Sequence, residues 1–162
     1  MLPDGLRYIG LSSGAGSRNK CWPLENFAAL ARGLSAAGYA PVFVLEAEER
    51  DWRETLQRDA PDAQFLDLDD QAMPPDLCYS PLLTNALADC LAAGVSNDSG
   101  TSHMFASADL PLVALFGPTS AEKFAPMTTR SAVVAAQSFG GDDMSAIPVE
   151  AVLGAVKSLI AD

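Results

Sequence analysis

Ala92-Ala93-Gly94-Val95-Ser96-Asn97-Asp98-Ser99-Gly100-Thr101-Ser102-His103 opens as a run of small and apolar residues and closes on hydroxyls, a glycine and a histidine. Residues 92–96 read as a short buried strand, and the apolar spacing over 102–108 predicts a helix directly after the turn. A strand that stops in a polar, glycine-containing turn and re-emerges as a helix is the unit from which open α/β sheets are built. Working outward, Ser80 is placed to cap a helix over 81–90, whose Leu82, Leu83, Ala86, Leu87 and Cys90 share one face. Downstream, 111–116 is the clearest strand in the chain and ends at Gly117-Pro118, 132–136 is a further strand, and 149–160 is a closing helix.

The same rhythm fills the first half. Residues 6–11 read as a buried strand that feeds a glycine-rich turn. An amphipathic helix over 23–37 is opened by Pro23 and closed by Gly38. A strand over 42–45, a charged helix over 48–58 and a weak strand over 64–68 follow, and an acidic, proline-containing stretch over 69–75 runs across the surface. The fold predicted is α/β: a Rossmann-like, doubly wound parallel sheet of about six strands, covered on both faces and joined by right-handed crossovers. No repeat, low-complexity tract or linker divides the chain, so residues 1–162 are read as one domain. With a strand order of 3-2-1-4-5-6, the first and fourth strands meet at the switch point, and a ligand belongs beyond their carboxyl ends.

Composition narrows what that ligand is. At 162 residues, 49% hydrophobic and 19% charged, the chain can bury a substantial core, and no apolar stretch approaches the roughly 20 residues needed to span a bilayer. The N-terminus lacks the pattern of a secretory signal, so a cytoplasmic location is expected. Three widely separated cysteines and a single histidine predict neither a disulfide framework nor a metal site. A formal charge of −11 argues against nucleic acid as a partner. It does not argue against a nucleotide, because backbone amides and a few placed cations act at short range.

Two loops at the switch point carry the candidate residues. In the first, Ser12-Ser13-Gly14-Ala15-Gly16-Ser17-Arg18-Asn19-Lys20, the glycines allow close backbone approach and Arg18 and Lys20 supply positive charge. Its spacing is neither that of a P-loop nor a complete dinucleotide fingerprint, so on its own it is equally a flexible turn. In the second, the amides of Ser99, Gly100 and Thr101 open a helix and lack intrahelical partners. The helix dipole favours an anion there by about 0.3–1 kcal/mol, and up to ~2 in a partly buried site. Asp98 beside a phosphate would repel it, so it either caps the helix, accepts from a neighbouring amide or meets a sugar hydroxyl. Asp98 or Ser99 as a plain N-cap explains either residue alone. His103, the only histidine, reads first as structural. Gly117, next to Pro118, either leaves room for a ligand or makes a turn. Glu46, Glu48 and Glu49 follow the second strand, where an acidic residue often meets ribose hydroxyls; a solvated helix start is the other reading.

Ser-Gly-Ala-Gly-Ser-Arg-Asn-Lys-Cys-Trp-Pro-Leu-Glu-Asn-Phe over 13–27 resembles the glycine-rich loop and Lys-Arg-Trp-Pro segment of the ADP-heptose:lipopolysaccharide heptosyltransferases. Val-Ser-Asn-Asp-Ser-Gly-Thr-Ser-His-Met over 95–104, with Leu-Val-Ala-Leu-Phe-Gly-Pro-Thr over 112–119, resembles that family's second signature, in the same order and separation. Cys21 stands where arginine is usual, Glu46-Ala47 replaces Gly-Pro, and residues 104–107 depart from Leu-Ala-Ala. The resemblance implies the C-terminal, donor-binding half of a GT-B glycosyltransferase that works without a metal and inverts the anomeric centre. The ligand implied is an ADP-sugar or another nucleoside diphosphate sugar, with no further cofactor. It assigns Ser17, Lys20, Ser99, Gly100 and Thr101 to the donor phosphates, Asp98 to the donor sugar and Glu49 to the ribose. Ser13, Gly14, Gly16, Arg18, His103, Gly117 and Pro118 line the site. The catalytic base, and the binding of a lipopolysaccharide-type glycan or lipid acceptor, are expected in an N-terminal domain that this chain does not contain, with any membrane contact peripheral. The same residues also fit a non-catalytic nucleotide-binding or regulatory module, or a GT-B-like sugar-nucleotide epimerase or hydrolase.

Overall fold

The computed structural model describes residues 5–46, 49, 51–65 and 80–161. The elements run β1 (Tyr8–Ser12), α1 (Leu24–Ala36), β2 (Ala40–Phe43), α2 (Trp52–Asp59), β3 (Gln64–Phe65), α3 (Pro81–Ala88), β4 (Ala93–Asn97), α4 (Gly100–Ser107), β5 (Leu112–Phe116), α5 (Ala121–Phe124), β6 (Ser131–Ala135) and α6 (Val149–Ile160). The six strands form one parallel sheet in the order β3-β2-β1-β4-β5-β6, as expected for a doubly wound domain. The surface stretch expected over 69–75, the end of the third strand and Glu48 lie outside the described residues.

Alternation along the strands sends side chains to two cores. Ile9 and Leu11 of β1, with Val95, Val113 and Leu115, pack under α1, α2 and α6 through Phe27, Leu30, Leu34, Leu56, Val152, Val156 and Ile160. Tyr8, Val42 and Leu112 face the opposite layer, where α3 and α4 supply Leu87, Ala88 and Phe105. Strand β1 begins at Tyr8 rather than Leu6, because Leu6 is exposed and reaches neither core. The helix over 81–88 is capped as predicted: the Leu83 amide donates to the Ser80 hydroxyl at 3.2 Å.

Glycines set how closely α4 approaches the sheet. Gly10 and Gly94 are register partners in neighbouring strands, and Phe105 of α4 lies over both. A Cβ on Gly94 would come within 2.8 Å of the Phe105 ring, and one on Gly10 within 2.5 Å of Leu91. The absence of side chains there draws α4 down onto the sheet and fixes its first turn beside the ends of β1 and β4.

At the opposite end of the strands, Asp109 joins α4 to β5 with a left-handed φ of 53° that aspartate and asparagine tolerate. Its carboxylate accepts from the Thr129 amide (2.8 Å) and from the hydroxyls of Thr129 (2.9 Å) and Thr128 (3.0 Å). The Thr129 bonds, then that of Thr128, hold this carboxyl below its ordinary titration range. The stabilisation is therefore complete above the ordinary carboxylate range and is lost as pH falls through the lowered native value. Asp109→Asn keeps the backbone conformation and removes the charge. Urea titrations from pH 7 to 3 should show the variant less stable than the parent at neutral pH, with the gap closing in acid. A gap independent of pH would contradict this. Among the described residues, no helix is long and apolar enough to cross a membrane.

Candidate functional site

After β1, the chain passes through buried Ser13 and Gly14 into exposed Gly16 and Ser17, then makes a single 3-10 turn over Arg18–Lys20. After β4, it turns at Asp98 and enters α4 at Gly100, two residues earlier than the apolar spacing suggests. The buried Asn97 side chain ties the two loops together. Its Nδ2 donates to the carbonyls of Ser13 (2.8 Å) and Gly14 (3.2 Å), and its Oδ1 accepts from the Trp22 amide at 3.0 Å. Trp22 is itself anchored, donating its indole N–H to the Ile147 carbonyl at 3.0 Å and meeting Phe27 edge-on.

Ser99 occupies the N-cap position of α4 in extended conformation, but its side chain makes no capping bond. Its hydroxyl lies 3.2 Å from that of Ser96 instead. Asp98 does not cap either. Its nearly buried carboxylate, 10% exposed, accepts from Lys20 Nζ and from Thr119 Oγ1, both at 2.8 Å on Oδ2. Neither Ser99 nor Asp98 thus caps the start of α4, and the Lys20 ammonium stands beside it on Asp98.

A cleft of about 540 Å³ opens between these loops and the end of β2. Gly16, Ser17 and Arg18 form one wall, Ser99 and Gly100 another, and Glu46, Glu49 and Trp52 the third. Glu49 is buried, and its carboxylate accepts from the Glu46 amide at 3.2 Å. A Cβ on Gly14 would overlap that carboxylate, so Gly14 is the residue that lets Glu49 reach the cleft. Cys21 also borders the cleft, and burial, followed by the charge of Glu49, pushes its thiol above the ordinary range. Around one opening the molecule therefore offers helix amides and Arg18 for an anion, with Lys20 adjoining on Asp98, and the carboxylates of Glu46 and Glu49 for hydroxyl groups.

Of the residues singled out from sequence, Gly16, Ser17, Arg18, Glu46, Glu49, Ser99 and Gly100 line this cleft. Lys20 and Asp98 adjoin it through the Ser17–Lys20 turn and the Asp98–Ser99 step. Thr101 is buried, and its hydroxyl donates to Glu46 Oε1 at 3.1 Å. Ser13 sits at the loop's base with a buried hydroxyl that has no hydrogen-bond partner among the described residues. His103 is exposed on α4 and Pro118 is exposed beyond β5; neither borders the cleft. Gly117 makes room for a protein side chain, since a Cβ there would meet Met144 at 2.6 Å. The side-chain roles of Asn97 and Thr119 and the wall position of Trp52 are not legible in the sequence.

Comparison with known proteins gives the family and the fold. The family model of glycosyltransferase family 9 (heptosyltransferase) matches residues 4–144. Lipooligosaccharide heptosyltransferase 2 of Haemophilus influenzae is 30% identical over 118 residues, which is 71% of this chain and 32% of that protein. The structure of E. coli ADP-heptose lps heptosyltransferase II superposes with a TM-score of 0.78 at 27% identity, covering 98% of this chain and 48% of that one. E. coli heptosyltransferase WaaC with ADP shares the fold, with a TM-score of 0.77 at 22% identity over 97% of this chain and 46% of that one. The chain thus spans about a third of the curated relative and about half of each solved structure. Sheet order, switch-point cleft and family match converge: the chain belongs to glycosyltransferase family 9, the heptosyltransferases.

Proposed function

We propose that this chain is a single donor-binding domain that holds an ADP-linked sugar, or another nucleoside diphosphate sugar, for transfer to a lipopolysaccharide-type acceptor. The observation that carries the reading is the uncapped start of α4 facing the switch-point cleft with Lys20 beside it. The presence of ADP in the WaaC structure supports the choice of nucleotide. In this reading the amides of Ser99, Gly100 and Thr101, with Ser17, take the diphosphate and Lys20 supplies its counter-charge. Glu49 takes the ribose hydroxyls and Asp98 the donor sugar. Arg18 and Gly16 border the same path.

Such a site promotes departure of the nucleoside diphosphate, because its amides and cation are set before the charge develops and need no reorganisation. Attack by an acceptor hydroxyl from the opposite face of the sugar inverts the anomeric centre, and no metal is needed where amides and Lys20 neutralise the leaving group. The base that deprotonates the acceptor, and the acceptor pocket itself, belong to the half of the solved structures' length that these residues do not span. The reading carries a cytoplasmic location with it, peripheral to the inner membrane.

Isothermal titration of the chain with ADP, AMP and adenosine tests it. ADP should bind more tightly than AMP, and AMP more tightly than adenosine. Lys20→Ala should weaken ADP by about 10- to 100-fold, the loss of a bond between charged groups of ~1.5–3 kcal/mol. Absence of ADP binding at millimolar concentration would contradict the reading, as would a Lys20→Ala variant that binds like the parent.

A further inference from the structure

Three strand ends converge on one oxygen atom. Lys20 from the loop after β1 and Thr119 from the turn after β5 both donate at 2.8 Å to Oδ2 of Asp98, which follows β4. The Asp98 side chain is 10% exposed and that of Lys20 31%, so the carboxylate is the deeper partner. A carboxylate at that depth is costly to leave without a donor. Lys20 is thus restrained: turning its ammonium toward a bound anion withdraws a donor from Asp98, and the cost of that movement depends on what donor remains.

We infer that Thr119 is a positioning residue, whose hydroxyl holds the Asp98 carboxylate and so frees Lys20 to engage the diphosphate of the donor. The inference rests on the proposed nucleotide reading and adds to it a residue for which neither signature motif gives a role. Thr119 reaches the cleft only through Asp98, and it does not border the opening itself. Its hydroxyl carries no charge to a ligand. What it contributes is a second, fixed donor, so that Asp98 stays in place whichever way Lys20 points. With the hydroxyl removed, Asp98 would rely on Lys20 alone, and the ammonium would be withheld from the phosphates.

Two double-mutant cycles test this, one of them without any ligand. In urea unfolding of the free protein, Lys20→Ala should lower the midpoint more in a Thr119→Val background than in the parent, because only the double variant strips Asp98 of both donors. In ADP titrations, Thr119→Val should weaken binding roughly ten-fold, the loss of one hydrogen bond to a charged group. Thr119→Ser should restore it to within about two-fold. In the Lys20→Ala background, Thr119→Val should change ADP affinity less than about two-fold, since there is no ammonium left to free. An equal loss from Thr119→Val with and without Lys20 would mark a merely structural residue and overturn the inference, as would additive urea midpoints. Parent protein that binds no ADP would instead remove the nucleotide reading and the release role together, while the urea cycle reports on the shared oxygen regardless.

Discussion

Asn97→Asp is expected to destabilise the domain by about 3–5 kcal/mol at neutral pH, a large part of the ~5–15 kcal/mol that holds a domain of this kind together. Asn97 is fully buried, and its amide nitrogen donates to two carbonyls, those of Ser13 and Gly14, at 2.8 and 3.2 Å. Aspartate is nearly isosteric, but it sets a charged oxygen against both carbonyls in a fully buried site. The Trp22 amide at 3.0 Å remains as the only donor of the original three bonds. The variant is also expected to lose ADP affinity, because the loop carrying Gly16 to Lys20 is hung from those two carbonyls. Burial raises the pKa of the introduced carboxyl, so its penalty is present above the raised native value and shrinks as pH falls through it. Urea midpoints for parent and variant should therefore converge between pH 7 and pH 4, which a loss due to side-chain shape alone would not produce.

Gly94→Val is expected to cost at least about 1–3 kcal/mol, the usual range for forcing extra carbon into a packed interior. The first added carbon already lies 2.8 Å from Phe105 Cδ2 and 3.1 Å from Leu110 Cδ2, and valine adds two more. Relief requires α4 to lift off the sheet, and α4 carries the Ser99–Gly100 turn. The variant should thus weaken ADP binding as well as stability, although Gly94 is near the start of β4 and not in the cleft. Phe105→Leu in the same chain should recover part of both losses by thinning the ring that is struck. Thermal unfolding and ADP titration of the single and double variants check this; loss of stability with ADP affinity unchanged would break the link between sheet packing and the site.

Much of the architecture could be read from the chain because it depends on local, repeated signals. The helix over 149–160 has the bounds its apolar spacing predicts, and the strand order follows from buried-type strands alternating with helices. Helix α5 could not be foreseen, since four residues make one turn and show no period. Helix α4 starts early, with the buried Thr101, a residue of weak helical preference, held in the first turn by its bond to Glu46. The candidate site divides in the same way. Its motif glycines and hydroxyls mark the place, whereas the work of Asn97, Thr119 and Gly14 is set by partners on other strands. Asn97 reads as a turn residue until the loop after β1 is laid against it, and Gly14 reads as one more flexible glycine until Glu49 is seen occupying the space above it.

If the first turn of α4 grips a diphosphate, ADP and adenosine must act on it differently. Titrating 15N-labelled protein with ADP and with adenosine, while following the amides of Ser99, Gly100 and Thr101, tests it most directly. ADP should move these three resonances more than any others outside the loop from Gly16 to Lys20, and adenosine should leave them almost unmoved. ADP binding that shifts amides elsewhere and leaves the turn unchanged would contradict it.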